Sequence, residues 1–444
     1  MRLAGLVFLL FSLTPAAGQD TTRVSILFTG DIMQHDSQIA AAYDPVSKAY
    51  NYESCFKYIN PVLQSADLTI GNLEVTLGGP PYKGYPQFSA PDQLATQLKM
   101  SGYDILVTAN NHCVDRGRKG LERTISILDT LDLLHTGTFV DSTQRRSHYP
   151  MVVEKNGITL SLLNYTYGTN GIPVSYPNVV NLIDTMLIKN DLVLAKAQKT
   201  DAIIVFMHWG NEYQSLPNLL QKRVTELCFR EGAKLVIGAH PHVVQPMQWD
   251  KEKDKLIAYS LGNFVSGQRP RYRDGGATLW VELEKIKRDS ISNTSIKQAQ
   301  YELQWIYKTS AVKSEFYILP VRQFESDTVV LNTKTARAAF DLFKEDSRAL
   351  FAKHNINVLE RKRKFNEMML RIVLLQTEAS TDSIVTGKVI DFYGLESEMD
   401  NEGKKLWLVG KFFDEEIAAM ALTEIKEQTM YKEAFIVHQP IPKD

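Results

Sequence analysis

The chain runs to 444 residues, more than one compact core ordinarily holds, so two or three folding units are expected. Hydrophobic residues make up 44% and charged residues 23%, a globular composition and not that of a disordered chain. A formal net charge of -1 excludes the broad basic field that nucleic-acid binding needs, and it leaves the charge of a substrate open.

Arg2 precedes an apolar run from Leu3 to Leu13 that is too short to span a bilayer. Pro15 breaks it, and Ala16-Ala17-Gly18 offers small residues to a signal peptidase. Residues 1–19 therefore read as a cleavable secretory signal, with an uncleaved anchor as the competing reading. No Cys follows the run directly, which disfavours a lipid anchor. No second run of about 18 apolar residues follows, so no transmembrane helix is expected in the mature chain.

Six short apolar runs come next, each ending in polar residues of a catalytic type. Val24 to Phe28 ends in Thr29-Gly30-Asp31, and Asp67 to Ile70 ends in Gly71-Asn72-Leu73-Glu74. Asp104 to Thr108 leads into Asn110-Asn111-His112, and Ala202 to Phe206 into His208-Trp209-Gly210. Lys234 to Ile237 leads into Gly238-Ala239-His240-Pro241-His242, and Leu256 to Tyr259 into Ser260-Leu261-Gly262-Asn263-Phe264. Helical patterns lie between, at Gly120 to Leu134 and Pro217 to Glu231. Strands alternating with helices predict an α/β fold with a buried sheet, whose ligands bind at the carboxyl ends of the strands.

Past residue 285 the character changes. Lys285 to Gln298 is polar and reads as loop, and Phe316 to Arg322 as a strand closing the first unit. Thr333 to Lys353 has helical spacing and reads as a bridging helix. From about Phe365 a small α+β pattern begins: strands at Leu370 to Leu375, Lys405 to Val409 and Ala434 to Val437, and a helix at Asp414 to Gln428. The three cysteines, Cys55, Cys113 and Cys228, make no disulfide framework.

Five of the nine histidines (His35, His112, His208, His240 and His242) lie in or beside the strand-end clusters. Imidazole is the commonest neutral nitrogen ligand of first-row divalent metals. In an extended segment His240 and His242 face the same side, so both rings reach one metal pair. Taken alone the pair also fits two surface histidines; His208 and His112 at equivalent strand ends turn the balance toward metal. Asp31 and Glu74 are the carboxylates and Asn111 an amide oxygen, a set that suits Zn, Mn or Fe better than Ca. His112 then lies beside the substrate as a general acid, and Asp115 either orients it or caps the helix entered at Gly120. No P-loop, no GxSxG elbow, no HExxH helix and no CxxC pair is present.

Taken in order, these segments resemble the CapA-type, polyglutamate-capsule-synthesis family of the calcineurin-like metallophosphatase superfamily. The match carries Gly30-Asp31-Ile32-Met33, Asn72-Leu73-Glu74, Ala109-Asn110-Asn111-His112 with Asp115, and His208-Trp209-Gly210 with Glu212-Tyr213. It continues through His240-Pro241-His242-Val243 and Tyr259 to Phe264, so that it covers roughly residues 24–325. The resemblance implies a four-layer αββα sandwich with two divalent metals. It assigns Asp31, Glu74, Asn111, His208, His240 and His242 as ligands, His112 and Asp115 as catalytic, and Asn72, Glu212 and Asn263 as substrate-binding. Three departures stand out. The superfamily's first motif carries His two residues after the Asp, where this chain has Met33, with His35 two further on. Asn72 and Glu74 occupy the region of the bridging Asp, and Ala239 stands where many relatives have His.

Residues 365–440 resemble a SPOR domain, a small peptidoglycan-binding module, and residues 333–360 make a helical linker before it. Together these resemblances imply a bacterial protein exported across the inner membrane to the periplasm or envelope. It would act on a capsule or cell-wall polymer as a metal-dependent hydrolase, or serve there as a non-catalytic factor that binds peptidoglycan.

Overall fold

The computed structural model describes residues 20–288, 291–310, 314–327, 329–362, 368–377, 390, 395–399, 404–412 and 415–440. The expected signal segment and the expected start of the tail unit at residue 365 lie outside them.

The chain is a mixed α/β protein built on two large sheets. In the first, strand order is Phe316–Pro320, Ile291–Lys308, Gly275–Arg288, Asp20–Ile32, Leu68–Leu73, Ile105–Val107, Leu134–Thr136, with Asn263–Val265 also on the Asp20–Ile32 strand. In the second it is Met247–Asp250, Lys255–Ala258, Leu235–Ala239, Ala202–His208, Ile158–Thr166, Met151–Lys155. The central strands of both run parallel and are buried on both faces, which is why they read as near-continuous apolar runs.

Alternation within each strand distributes the core. Val24, Ile26 and Phe28 join Ile204, Phe206 and Ile237 of the other sheet in one apolar layer, so the sheets pack face to face. Leu27 and Leu106 point the other way, onto helix Gln93–Met100 and its neighbours. Val205, Met207 and Val236 face helices Thr185–Ala197 and Leu219–Arg230. Helices thus cover the outer face of each sheet. The three cysteines are buried and unpaired.

Two expectations need correcting. In its described residues Lys285 to Gln298 is not loop: strands Gly275–Arg288 and Ile291–Lys308 pair antiparallel, with Leu283 opposite Ile296. Those two residues are buried, while polar residues beside them take ion pairs, Lys297 with Glu284 at 3.1 Å and Lys285 with Asp201 at 2.9 Å. Polarity hid a period of two. Nor does the helix Lys334–His354 stand off as a linker between units. Thr333 caps it, accepting from Ala336 N at 3.1 Å, and Phe340, Phe343 and Phe351 enter the inter-sheet core. The chain beyond it joins both sheets: Ile356 N donates to Met247 O at 3.0 Å, and Leu359–Glu360 pairs with Gln300 and Tyr301.

In the tail, four strands take the order Leu395–Met399, Lys405–Phe412, Met368–Thr377, Phe435–Pro440. Helix Glu415–Gln428 packs Ala421 and Ile425 on Ile372, Leu374 and Val409. The Leu395–Met399 strand escaped sequence reading because four of its five residues are exposed. Among the described residues no helix is long and apolar enough to cross a membrane.

Candidate metal centre

The carboxyl ends of the two sheets meet at one place. Asp31 lies one residue from the end of the strand Asp20–Ile32, in register with Asn72 on one side and Asn263 on the other. Gly30 lets this happen: a Cβ there would lie 1.9 Å from Gly262 O, and Asp31 N donates to that same carbonyl at 2.9 Å. From the second sheet, His208 ends its strand and His240 follows Ala239.

The pair His240 and His242 is not presented as sequence reading expected. The segment is a turn, not an extended strand, with φ of +98° at His240 and +59° at His242. Left-handed backbone at non-glycine residues costs on the order of 1–3 kcal/mol each and is typical of functional sites. The turn is held by its contacts with Asp31. His240 N donates to both Asp31 oxygens at 3.2 and 3.3 Å, and the His242 ring meets Asp31 Oδ2 through Nδ1 at 3.0 Å. Asn72 Nδ2 donates to Asp31 Oδ1 at 2.8 Å and lies 3.1 Å from His208 Nδ1. His208 Nε2 is 2.8 Å from Asn111 Oδ1, and Asn111 Nδ2 donates to Asn170 Oδ1 at 3.2 Å.

Glu74 sits at the centre. Its Oε1 lies 3.5 Å from His208 Nε2 and 3.9 Å from His242 Nε2, yet neither Glu74 oxygen has a hydrogen-bond partner among the described residues. His240 Nδ1 is likewise buried without a partner. Two donor trios form here, Glu74 with His240 and His242, and Asp31 with Glu74 and His208, each with ligand atoms within 4.8 Å of one another. Glu74 is common to both.

The electrostatics point the same way. Burial, then the charge of Asp31, pushes the Glu74 carboxyl well above its usual range. Burial, then the neighbouring imidazoles, pushes His208 well below its usual range and His240 down to about 3. Burial would raise Asp31 too, but His242, Asn72 and His240 outweigh it and hold that carboxyl low. Neutral imidazoles facing a carboxyl that is buried without donors make a set that a divalent cation fits, since the cation would favour the ionised Glu74.

Beside this set, His112 Nδ1 lies 2.7 Å from Asp115 Oδ2, and Asp115 also accepts from Phe88 N at 2.8 Å. The helix Gly117–Thr130 has Arg116 at its N-cap with no side-chain cap, so Asp115 orients His112 and does not cap.

Other residues fall elsewhere. Glu212 is exposed, and the Asn263 amide donates to Gln268 Oε1 and Arg273 O at 3.2 and 2.8 Å. Met33 is buried in the apolar layer outside the first sheet. His35 Nδ1 accepts from Gly267 N at 3.1 Å and its ring packs on Phe88, so it does not replace the missing motif histidine. Sequence reading missed Tyr167, whose ring lies 4.5 Å from that of His240. It follows a seventh strand end, Ile158–Thr166, whose apolar run before Tyr167-Gly168 was the available signal.

The chain is 29% identical over 259 residues to the PGA biosynthesis protein CapA of Bacillus subtilis, covering 55% of this chain and 64% of that one. It is 28% identical over 271 residues to the capsule biosynthesis protein CapA of Bacillus anthracis, covering 58% and 63% respectively. It therefore spans just under two thirds of the length of these relatives. Among solved structures, the calcineurin-like phosphoesterase YfkN from Bacillus subtilis aligns with TM-score 0.39 at 14% identity, covering 73% of this chain and 100% of that one. The NAD nucleotidase of Haemophilus influenzae aligns with TM-score 0.40 at 10% identity, covering 96% of each. Residues 25–268 match the family model described as bacterial capsule synthesis protein PGA_cap, and the chain belongs to that family.

Proposed function

We propose that this is an exported, metal-dependent hydrolase of the cell envelope that acts on a capsule or cell-wall polymer. The observation that carries the reading is Glu74, a fully buried carboxyl between His208 and His242 whose two oxygens have no hydrogen-bond partner among the described residues. Asp31, Glu74, Asn111, His208, His240 and His242 would hold two divalent cations of the Zn, Mn or Fe class, with Glu74 shared. Such cations supply Lewis acidity toward a phosphoryl or acyl oxygen and toward water. His112, its Nδ1–H donated to Asp115, holds the proton at Nε2 that the leaving group takes. Asn72 positions His208 and Asp31 through its amide. In this reading Glu212, which is exposed, and Asn263, in register with Asp31, would meet the substrate. Residues 24–325 carry the catalytic groups of this reading, and the tail, whose described residues form a four-stranded sheet packed by helix Glu415–Gln428, acts as a SPOR-like peptidoglycan anchor.

One observation favours a second reading, a non-catalytic envelope factor. Met33 fills the core where the superfamily motif has a ligand, and His35, the nearest histidine in sequence, is held by Gly267 and Phe88 instead. Metal content of the purified chain separates the two, measured beside His208→Ala and His240→Ala. About two equivalents, lost in both variants, support the hydrolase. None after reconstitution removes it and leaves the scaffold.

A further inference from the structure

The donor set of the centre is carboxylates, amides and imidazoles. None of the hydrogen bonds or ion pairs of Asp31, Glu74, His208, His240 or His242 among the described residues involves Lys or Arg. A fixed cation stands one ring away. The Arg273 guanidinium lies 4.0 Å from the centre of the Tyr213 ring, and that ring is 6.1 Å from the His242 ring.

Both partners of this stack are set in place by backbone. Tyr213 has φ of +66° and its N–H donates to Pro241 O at 2.8 Å, so it is tied to the residue between the two histidines. Left-handed backbone at an aromatic residue persists only where surrounding contacts impose it. Arg273 N donates to Pro270 O at 3.0 Å, and its carbonyl accepts from Asn263 Nδ2 at 2.8 Å. The next residue, Asp274, is buried and holds Trp305 Nε1 at 3.0 Å and Arg271 at 3.3 Å. Arg271 is thus spent on Asp274 and Asp346. The Arg273 guanidinium has no carboxylate partner among the described residues and is only partly buried. The Tyr213 hydroxyl faces both Arg273 and Glu212, and a guanidinium over a ring has five N–H groups, so donors beyond that contact match an oxyanion.

We infer that Arg273, stacked on Tyr213 at the rim of the centre, binds an anionic group of the substrate, a carboxylate or phosphate next to the bond presented to Glu74 and the histidines. This deepens the hydrolase reading and rests on it for the word substrate: the polymer is anionic, and one of its charged groups docks beside the reacting bond.

The test is calorimetric titration of the full chain, metal-free and metal-loaded, with inorganic phosphate as one probe and N-acetylglutamate as the other. Wild type is expected to bind one of them, more weakly as salt rises, and the preferred probe names the group. Arg273→Gln is expected to lose at least tenfold in affinity with metal content and thermal midpoint unchanged, and Arg273→Lys to lose less. Tyr213→Leu should also weaken binding, by removing the stack. Equal affinity in wild type and Arg273→Gln overturns the inference, as does no binding of either probe by wild type. Arg273-dependent binding in a chain that hydrolyses nothing would sink the hydrolase reading and leave this one standing.

Discussion

Asp115 accepts from His112 Nδ1 at 2.7 Å while its same oxygen takes the Phe88 N–H at 2.8 Å. The carboxylate is therefore anchored from a second segment, and it fixes both the tautomer and the ring plane of His112. His112→Ala should lower turnover of bis-para-nitrophenyl phosphate by about 10²–10⁴-fold, the range for a lost general acid. Asp115→Asn should fall in the same range by presenting the wrong donor. Steady-state rates on the metal-loaded chain decide this; wild-type kcat in both variants would remove the dyad from the mechanism.

Glu74 predicts a linkage between metal and stability. Adding Zn or Mn at about a hundred times its Kd should stabilise the wild-type chain by about 2.7 kcal/mol, seen as a raised thermal midpoint. Glu74→Gln keeps the shape but not the charge shared by both donor trios. Its midpoint should not respond to metal. A full response in the variant would show that the cation sits elsewhere.

His35 supplies a pH dependence. Burial pushes its imidazole down to about 4 from an ordinary value near 6.5. Between those values the unfolded chain binds the proton and the folded one does not, so stability rises with pH across that window. In the metal-free chain His35→Gln should remove a part of order 3 kcal/mol from the loss seen on acidifying from pH 7 to pH 4. His208 and His240 shift the same way, so the rest of the loss should remain. Urea unfolding at the two pH values measures it; parallel curves for wild type and variant would contradict the assignment.

The helix Lys334–His354 is predicted to be part of the first unit. Phe340 is fully buried and packs edge-on to Trp305, ring centres 5.7 Å apart. Phe340→Ala should cost about 3–5 kcal/mol in urea unfolding of the whole chain. A cost under about 1 kcal/mol would restore the linker.

How much of this was legible depended on where the chemistry sat. The six strand ends could be read because an apolar run that stops at Asp31, Glu74 or His208 leaves its mark in adjacent residues. The seventh end, at Tyr167, was passed over because an aromatic residue reads as core unless a partner such as His240 is known. Arg273 left no trace at all, since its meaning comes from Tyr213, sixty positions away in the chain. The ribbon around Lys285 was concealed by its own ion pairs, and Asp115 kept two readings until His112 claimed it. The left-handed turn at His240 and His242 is set by contacts with Asp31, which come from the far side of the sequence.

The floor of the centre is backbone against backbone. A Cβ on Gly30 would meet Gly262 O, and one on Gly238 would lie 2.0 Å from Tyr259 O. No side chain can be added beneath the donors without parting strands, so diversification from below is closed. New specificity has to be written in the surrounding loops, around Glu212 to Ser215 and Gln268 to Asp274. Such loops tolerate exchange far better than packed strands do. If the hydrolase reading holds, chimeras that swap Glu212 to Ser215 and Gln268 to Arg273 between relatives should move substrate choice while metal content stays unchanged.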